Sequence, residues 1–137
     1  MKITAIIVTY ANRFHLLEQV LLSCINEKVD TIVVVNNNAS EETRLKLAEF
    51  INSKKQFYII DNLENLGSAK AYKQGLQYAK ELSNDFILLL DDDNKLEKGT
   101  IELLKYHWQE RPDKVEALLC FRTDRIQFKE AIQKKNP

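Results

Sequence analysis

The apolar run Phe86-Ile87-Leu88-Leu89-Leu90 passes without a spacer into Asp91-Asp92-Asp93. Five consecutive apolar residues read as a strand buried on both faces, which is the pattern of a parallel sheet covered by helices. Three adjacent carboxylates cannot share that environment, because they repel one another and desolvation penalises each. The chain must therefore leave the sheet at Leu90, with the acids at the carboxyl end of what reads as a central strand. A divalent cation relieves both penalties, and carboxylate oxygens suit Mg²⁺ or Mn²⁺. A phosphate is the expected companion of such an ion. Alternate residues of an extended segment point the same way, so Asp91 and Asp93 can face one site while Asp92 differs.

The rest of the chain places that junction in a fold. Residues 3–8 form a β-branched strand, and Leu17, Val20, Leu21 and Cys24 then recur at helical spacing. A second strand spans residues 31–35. Ser40 follows as a helix N-cap, with Glu41 and Glu42 where the helix dipole favours carboxylates. Leu45, Ala48 and Ile51 fall roughly along one face of that helix, and residues 57–60 make a third strand. Ala69, Tyr72, Leu76 and Ala79 stripe the next helix, and residues 86–90 are the fourth strand. Ile101, Leu104 and Trp108 mark another helix, stopped by Pro112, before a fifth strand over residues 115–121. The fold class is α/β: a Rossmann-like, mostly parallel sheet of about five strands with helices on both faces. Ligands of such sheets bind outside the carboxyl ends of the strands. Residues 9–13, 36–40, 61–68 and 91–94 converge there.

With 137 residues the chain is long enough for one core, and its zero net charge gives no bulk attraction to nucleic acid or anionic membrane. Residues 1–121 read as the domain and residues 122–137 as a charged tail. Cys24 and Cys120 lie far apart in apolar company and read as core hydrophobes in a reducing cytoplasm, not as a metal pair. No signal peptide is visible, and no apolar stretch approaches the roughly 20 residues of a membrane span. His15 and His107, with no ligand spacing between them, read as structural or surface residues, and no Ser or Cys nucleophile motif is present.

Each converging segment has a chemical reading beside a plain one. Thr9-Tyr10-Ala11-Asn12-Arg13 lacks glycine, so it is neither a dinucleotide fingerprint nor a P-loop. A hydroxyl, a ring and a cation could hold a base and a phosphate, or simply cap a helix. Asn36-Asn37-Asn38 could read a nucleobase edge, although asparagines also make turns on their own account. Gly67 permits positive φ or close ligand approach, and the free N–H groups of the helix it opens attract phosphate. Lys70 and Lys73, one turn apart, could face the same anion or form a solvated face.

Taken together, Ile6-Ile7-Val8-Thr9-Tyr10 with Asn12-Arg13, Val33-Val34-Val35-Asn36-Asn37-Asn38-Ala39-Ser40, Asn65-Leu66-Gly67 and Leu88-Leu89-Leu90-Asp91-Asp92-Asp93 resemble the nucleotide-sugar-binding half of a family 2 glycosyltransferase of GT-A fold. The resemblance implies that Thr9, Tyr10, Asn12, Arg13 and Asn37 grip the nucleotide, with Gly67 and Lys70 alongside. It implies that Asp91 and Asp92, in a motif of DxD type, contact the donor, and that Asp93, with Asp91, binds Mn²⁺ or Mg²⁺. The activity implied is metal-dependent, inverting transfer of a sugar from a UDP- or dTDP-sugar to a hydroxyl of a glycan or lipid-linked acceptor, as in polysaccharide biosynthesis.

Two departures qualify the resemblance. Asn36 and Asn37 stand where the family usually has the aspartate that reads uracil. Family members are also much longer, so the acceptor half and the catalytic base are expected in sequence absent here. A non-catalytic nucleotide or nucleotide-sugar module is the alternative. A phosphoacceptor receiver is disfavoured, because strand one ends in Thr9-Tyr10 without a carboxylate. A cytoplasmic location follows, with membrane contact only through the absent sequence. Apolar surface left open by truncation would favour a homo-oligomer.

Overall fold

The computed structural model describes residues 1–118 and Cys120. Among these, eight elements alternate: β1 (Ile3–Ala11), α1 (Phe14–Asn26), β2 (Thr31–Ala39), α2 (Glu41–Ile51), β3 (Phe57–Asn62), α3 (Ser68–Lys80), β4 (Phe86–Asp91) and α4 (Thr100–Glu110). The sheet is wholly parallel in the order β3-β2-β1-β4. After β1 the chain steps outward to β2 and β3, then returns to pair β4 on the other side of β1. That reversal opens a crevice at the carboxyl ends of β1 and β4, the place where such sheets bind ligands.

Side-chain alternation along the strands sorts the core into two layers. Ile3, Ala5 and Ile7 of β1 and Ile32 and Val34 of β2 pack with Leu17, Val20, Leu21 and Cys24 of α1, Leu47 of α2 and Ile101 of α4. Ile6, Val8, Val33 and Val35 face the other way, onto Ala71 and Ala79 of α3. The small stripe Ala71, Gly75, Ala79 lets α3 lie close to the sheet: a Cβ on Gly75 would sit 2.4 Å from Ile6 Cγ2.

Several expectations need correction. Among the described residues β4 lies at the edge of the sheet rather than at its centre, and of its apolar run only Leu90 is buried while Leu89 is 51% exposed. Hydrophobicity alone cannot tell a strand with two neighbours from one that pairs, among the described residues, with β1. On α2 the buried residues are Thr43 and Leu47, with Phe50 and Ile51 packed against the core; Leu45 is 65% exposed and Ala48 is exposed. The Ser40 cap fixes this phase, since its hydroxyl accepts from the Thr43 N–H and orients the first turn. On α3, Ala69 is exposed and Ala71 takes the inward position. Among the described residues the sheet has four strands. Val115, Glu116, Ala117, Leu118 and Cys120 are not extended into a ladder, and the rest of the expected fifth strand, like the tail, lies outside the described residues. Cys120 is accordingly exposed, whereas Cys24 is buried.

The chain divides into two compact units, Met1–Lys105 and Tyr106–Pro137. In the second, the Arg111 guanidinium stacks 3.7 Å from the Trp108 ring centroid and its Nε donates to the Val115 carbonyl at 3.0 Å. The site lies wholly within the first. Among the described residues no helix is long and apolar enough to cross a membrane.

Candidate functional site

Tyr10 near the end of β1, Arg13 just after it, Asn37 on β2, Asn65 and Ser68 at the entry to α3, Tyr72 one turn later, and Asp91, Asp92 and Asp93 at the end of β4 and just beyond line one open pocket of about 410 Å³, together with Val8. The strand ends deliver these polar groups because the ladder holds each strand in register beside the next. Val8 pairs with Asp91 and Thr9 with Asn36.

Asp92 has a different environment from its neighbours. Its side chain is 4% exposed and takes three donors: Arg13 Nε at 2.8 Å, Arg13 Nη2 at 2.7 Å and the Thr9 hydroxyl at 2.9 Å. A two-pronged guanidinium fork plus a hydroxyl is what a desolvated carboxylate requires. The hydrogen bonds to Asp92 hold the Arg13 pKa above its ordinary value. The same guanidinium lies 4.9 Å from the Tyr10 ring centroid and 3.7 Å from Asp93 Oδ2. Arg13 therefore links the end of β1 to the end of β4 and offsets the repulsion among the acids.

Asp91 and Asp93 remain accessible. The Tyr72 hydroxyl lies 2.7 Å from the Leu90 carbonyl and 2.9 Å from Asp91 Oδ1, both acceptors for its single proton. Burial, then this carboxylate, pushes the Tyr72 pKa up, so Tyr72 stays a neutral donor. Asn94 Nδ2 donates to Asp91 Oδ2 at 3.2 Å, and the Asp93 side chain is 49% exposed. The segment that follows is anchored to the end of α1: Ser23 Oγ accepts from the Leu96 N–H at 2.9 Å, and the Glu27 carboxylate accepts from the N–H groups of Gly99 and Ile101 at 2.9 and 3.0 Å.

The acids do not form a trio around a common cavity for an ion. Asp92 is withdrawn into its fork, and among the described residues no three carboxylate, imidazole or thiolate side chains converge into a ready-made cage. The remaining donor set still fits Mg²⁺ or Mn²⁺, because those ions are commonly held by one or two carboxylates with phosphate oxygens and water completing the shell.

The other expected residues fall into two groups. Tyr10, Arg13, Asn37, Asp91, Asp92 and Asp93 line the pocket. Thr9 is fully buried behind it, bonded to Asp92. Asn12 turns to the start of α2, where its Oδ1 accepts from the Thr43 and Ser40 hydroxyls and its Nδ2 donates to Glu42. Gly67 opens α3 at φ 81°, with free space where a Cβ would stand, so its role is conformational. Lys70 and Lys73 are exposed and are not among the lining residues. Asn65 and Ser68, which fall in the converging segment 61–68 without being singled out as ligand groups, also line the pocket, and so does Tyr72, read only as part of the helix stripe. The i, i+4 spacing of Ser68 and Tyr72 was the available signal that they share a helix face.

Residues 4–132 match the model of the family described as Glycosyl transferase family 2. The chain belongs to that family. Among solved structures, this glycosyltransferase chain is similar to the mannosyltransferase PcManGT from Pyrobaculum calidifontis in complex with GDP-Man and Mn²⁺, at TM-score 0.75 and 18% identity over 93% of this chain and 37% of that one. It is similar to S. aureus TarS at TM-score 0.66 and 23% identity, over 80% of this chain and 20% of TarS. GalNAc-T7, solved with UDP, GalNAc and Mn²⁺, gives TM-score 0.58 and 20% identity over 66% of this chain and 17% of that one. These likenesses establish the GT-A fold, and the chain spans well under half of each relative. A search of curated proteins gives no match.

Proposed function

We propose that the pocket binds a nucleotide-diphospho-sugar with a divalent cation, and that this chain is the donor-binding part of an inverting glycosyltransferase. The observation that carries the reading is the convergence of Tyr10 and Arg13, Asn37 and Asn65, and Asp91 and Asp93 around one pocket at the crossover point of a family 2 fold. Two solved neighbours that contain Mn²⁺ with GDP-Man or with UDP and GalNAc support the choice of ligand class.

In this reading Asp93, with Asp91 beside it, would hold the cation. When bound, the ion would neutralise the diphosphate and stabilise the departing nucleotide. Arg13, locked by Asp92, adds positive potential at the same place without needing to reorganise. Tyr10 offers a ring face. The start of α3 has no side-chain cap and no acidic residue in its first turn, so its free N–H groups suit an anion. Tyr72 fixes the Asp91 carboxylate. Direct displacement by an acceptor hydroxyl also needs a proton acceptor; with Asp92 tied up and Asp91 and Asp93 assigned to the ion, that group belongs outside the residues described.

Calorimetric titration with UDP-, dTDP- and GDP-sugars, with and without Mn²⁺, tests the reading. Binding should require the metal, and Asp93→Asn should weaken it at least about tenfold, or ~1.4 kcal/mol. Equal affinity of wild type and Asp93→Asn would overturn the site.

A further inference from the structure

Among the described residues β3 pairs with β2 alone. Its other edge carries a row of peptide groups, and the ladder fixes which ones. The Ile32 N–H donates to the Gln56 carbonyl at 2.8 Å, and Ile32 is in register with Phe57. In a parallel ladder alternate residues of a strand bond to the same neighbour. Gln56, Tyr58 and Ile60 therefore turn their peptide groups to β2, while Phe57, Ile59 and Asp61 turn theirs outward. Of these outward groups the Phe57 N–H is bonded within the chain, to the Lys54 carbonyl at 3.3 Å.

Nothing in β3 blunts this edge. The strand has no proline and no bulge in its register, and its one charged residue, Asp61, stands near its carboxyl end. Unprotected edges of this kind take up a further strand. Tyr58 and Ile59, on opposite faces, are each 38% exposed, and Leu63 just beyond the strand is 91% exposed.

The edge is complementary to itself. A two-fold axis sets two copies of one strand antiparallel. Directly opposed residues of an antiparallel pair exchange either both hydrogen bonds or none, so an outward residue must face an outward residue. Centring the pair on Ile59 matches all three. Ile59 exchanges both bonds with its copy, and the Asp61 N–H of each strand donates to the Phe57 carbonyl of the other. Tyr58 then stands across from Ile60 of the second copy. The charges agree with this direction. Lys54 and Lys55 precede the strand, whereas Asp61 lies near its end and Glu64 beyond it. Antiparallel pairing lays the basic entry of one copy beside the acidic exit of the other.

We propose that β3 is a homodimer interface, at which two copies of this chain join edge to edge about Ile59 in the order β4-β1-β2-β3-β3-β2-β1-β4. The strands of the two copies run in opposite directions, so their pockets, at the strand carboxyl ends, open on opposite sides of the joint sheet. The inference is independent of the nucleotide reading.

Sedimentation velocity of the 137-residue chain over about 1–200 μM, a range suited to a small interface, is the test. The wild type should pass from monomer to dimer. Ile59→Lys and Ile59→Glu each set like charges across the axis and should raise the dissociation constant at least about tenfold. Mixed in equal amounts, the two variants should regain association, because residue 59 then faces an opposite charge. Should either lose the wild-type circular dichroism spectrum, Glu64→Lys takes their place. Alone it should weaken the dimer, and combined with Lys54→Glu and Lys55→Glu in one chain it should restore it. A wild type that stays monomeric throughout overturns the proposal, and so does a dimer that the folded variants leave unchanged, which would lie on another surface. Position-59 variants that stay apart when mixed, or a charge reversal that restores nothing, overturn it as well.

Discussion

Arg13 shows how one side chain can hold a site together. It is a quarter exposed, while the carboxylate it grips is almost wholly buried. Removing it strands a charge in a place where water cannot compensate. Arg13→Ala should cost about 3 kcal/mol, the low end for breaking a buried pair because the guanidinium edge is wet. Arg13→Lys, unable to fork, should recover only part of that. Urea denaturation measures both, and a loss below about 1 kcal/mol in Arg13→Ala would show that Thr9 alone satisfies Asp92. Cys24 makes a second residue-scale case. Burial pushes its thiol up to about 12 from an ordinary value of 9. A pKa raised on folding means stability that is complete below pH 9 and is lost as pH rises from 9 toward 12, by at most about 1.4 kcal/mol per pH unit from this group. The alkaline slope should flatten in Cys24→Ala; an unchanged slope would assign it to other groups.

At the scale of elements, close approach and strained turns matter more than helix or strand propensity. Gly75 brings α3 against β1, and an added methyl would collide with the fully buried Ile6. Gly75→Ala should destabilise by about 1–3 kcal/mol despite the better helix propensity of alanine. Pairing it with Ile6→Leu, which moves the branch away from Cγ2, should return part of the loss; strict additivity in that double-mutant cycle would deny the contact. The strands continue past the apolar runs that announced them. β1 reaches Ala11 at φ 50°, and β2 reaches Ala39 through Asn38 at φ 63°. Ala11 is an unfavourable residue for the left-handed region. Ala11→Gly should therefore be tolerated within about 1 kcal/mol, while the β-branched Ala11→Val should cost more than that. Thermal unfolding ranks the two, and the reverse order would mean that the turn relaxes.

At the scale of the molecule, site and fold are linked through ligand binding, because the pocket exists only when β1, β2, β4 and α3 are assembled. A nucleotide diphosphate and Mn²⁺ together, at a hundred times the dissociation constant, should stabilise the protein by about 2.7 kcal/mol, and each alone by much less. A melting temperature indifferent to the pair would mean that the folded chain does not bind it. The α/β alternation, the Ser40 cap, the inner face of α1 and the position of the acids at a strand end were legible in the residues, because periodicity, capping and charge repulsion act over a few neighbours. The edge position of β4 among the described residues, the phase of α2, the exposure of Ala69 where Ala71 of α3 turns inward, and the division of labour among Asp91, Asp92 and Asp93 were not. Nor was the chain of side-chain hydrogen bonds from Gln74 through Asn62 and Asn37 to Asn65. Each of those depends on which distant groups become neighbours when parallel strands cross over: Arg13 reaches Asp92 across 79 positions of sequence, and Asn37 reaches Asn65 across 28. Local pattern could put acids at a rim, but only packing could bury one of them, leave two open and bring Asn65 to the same pocket.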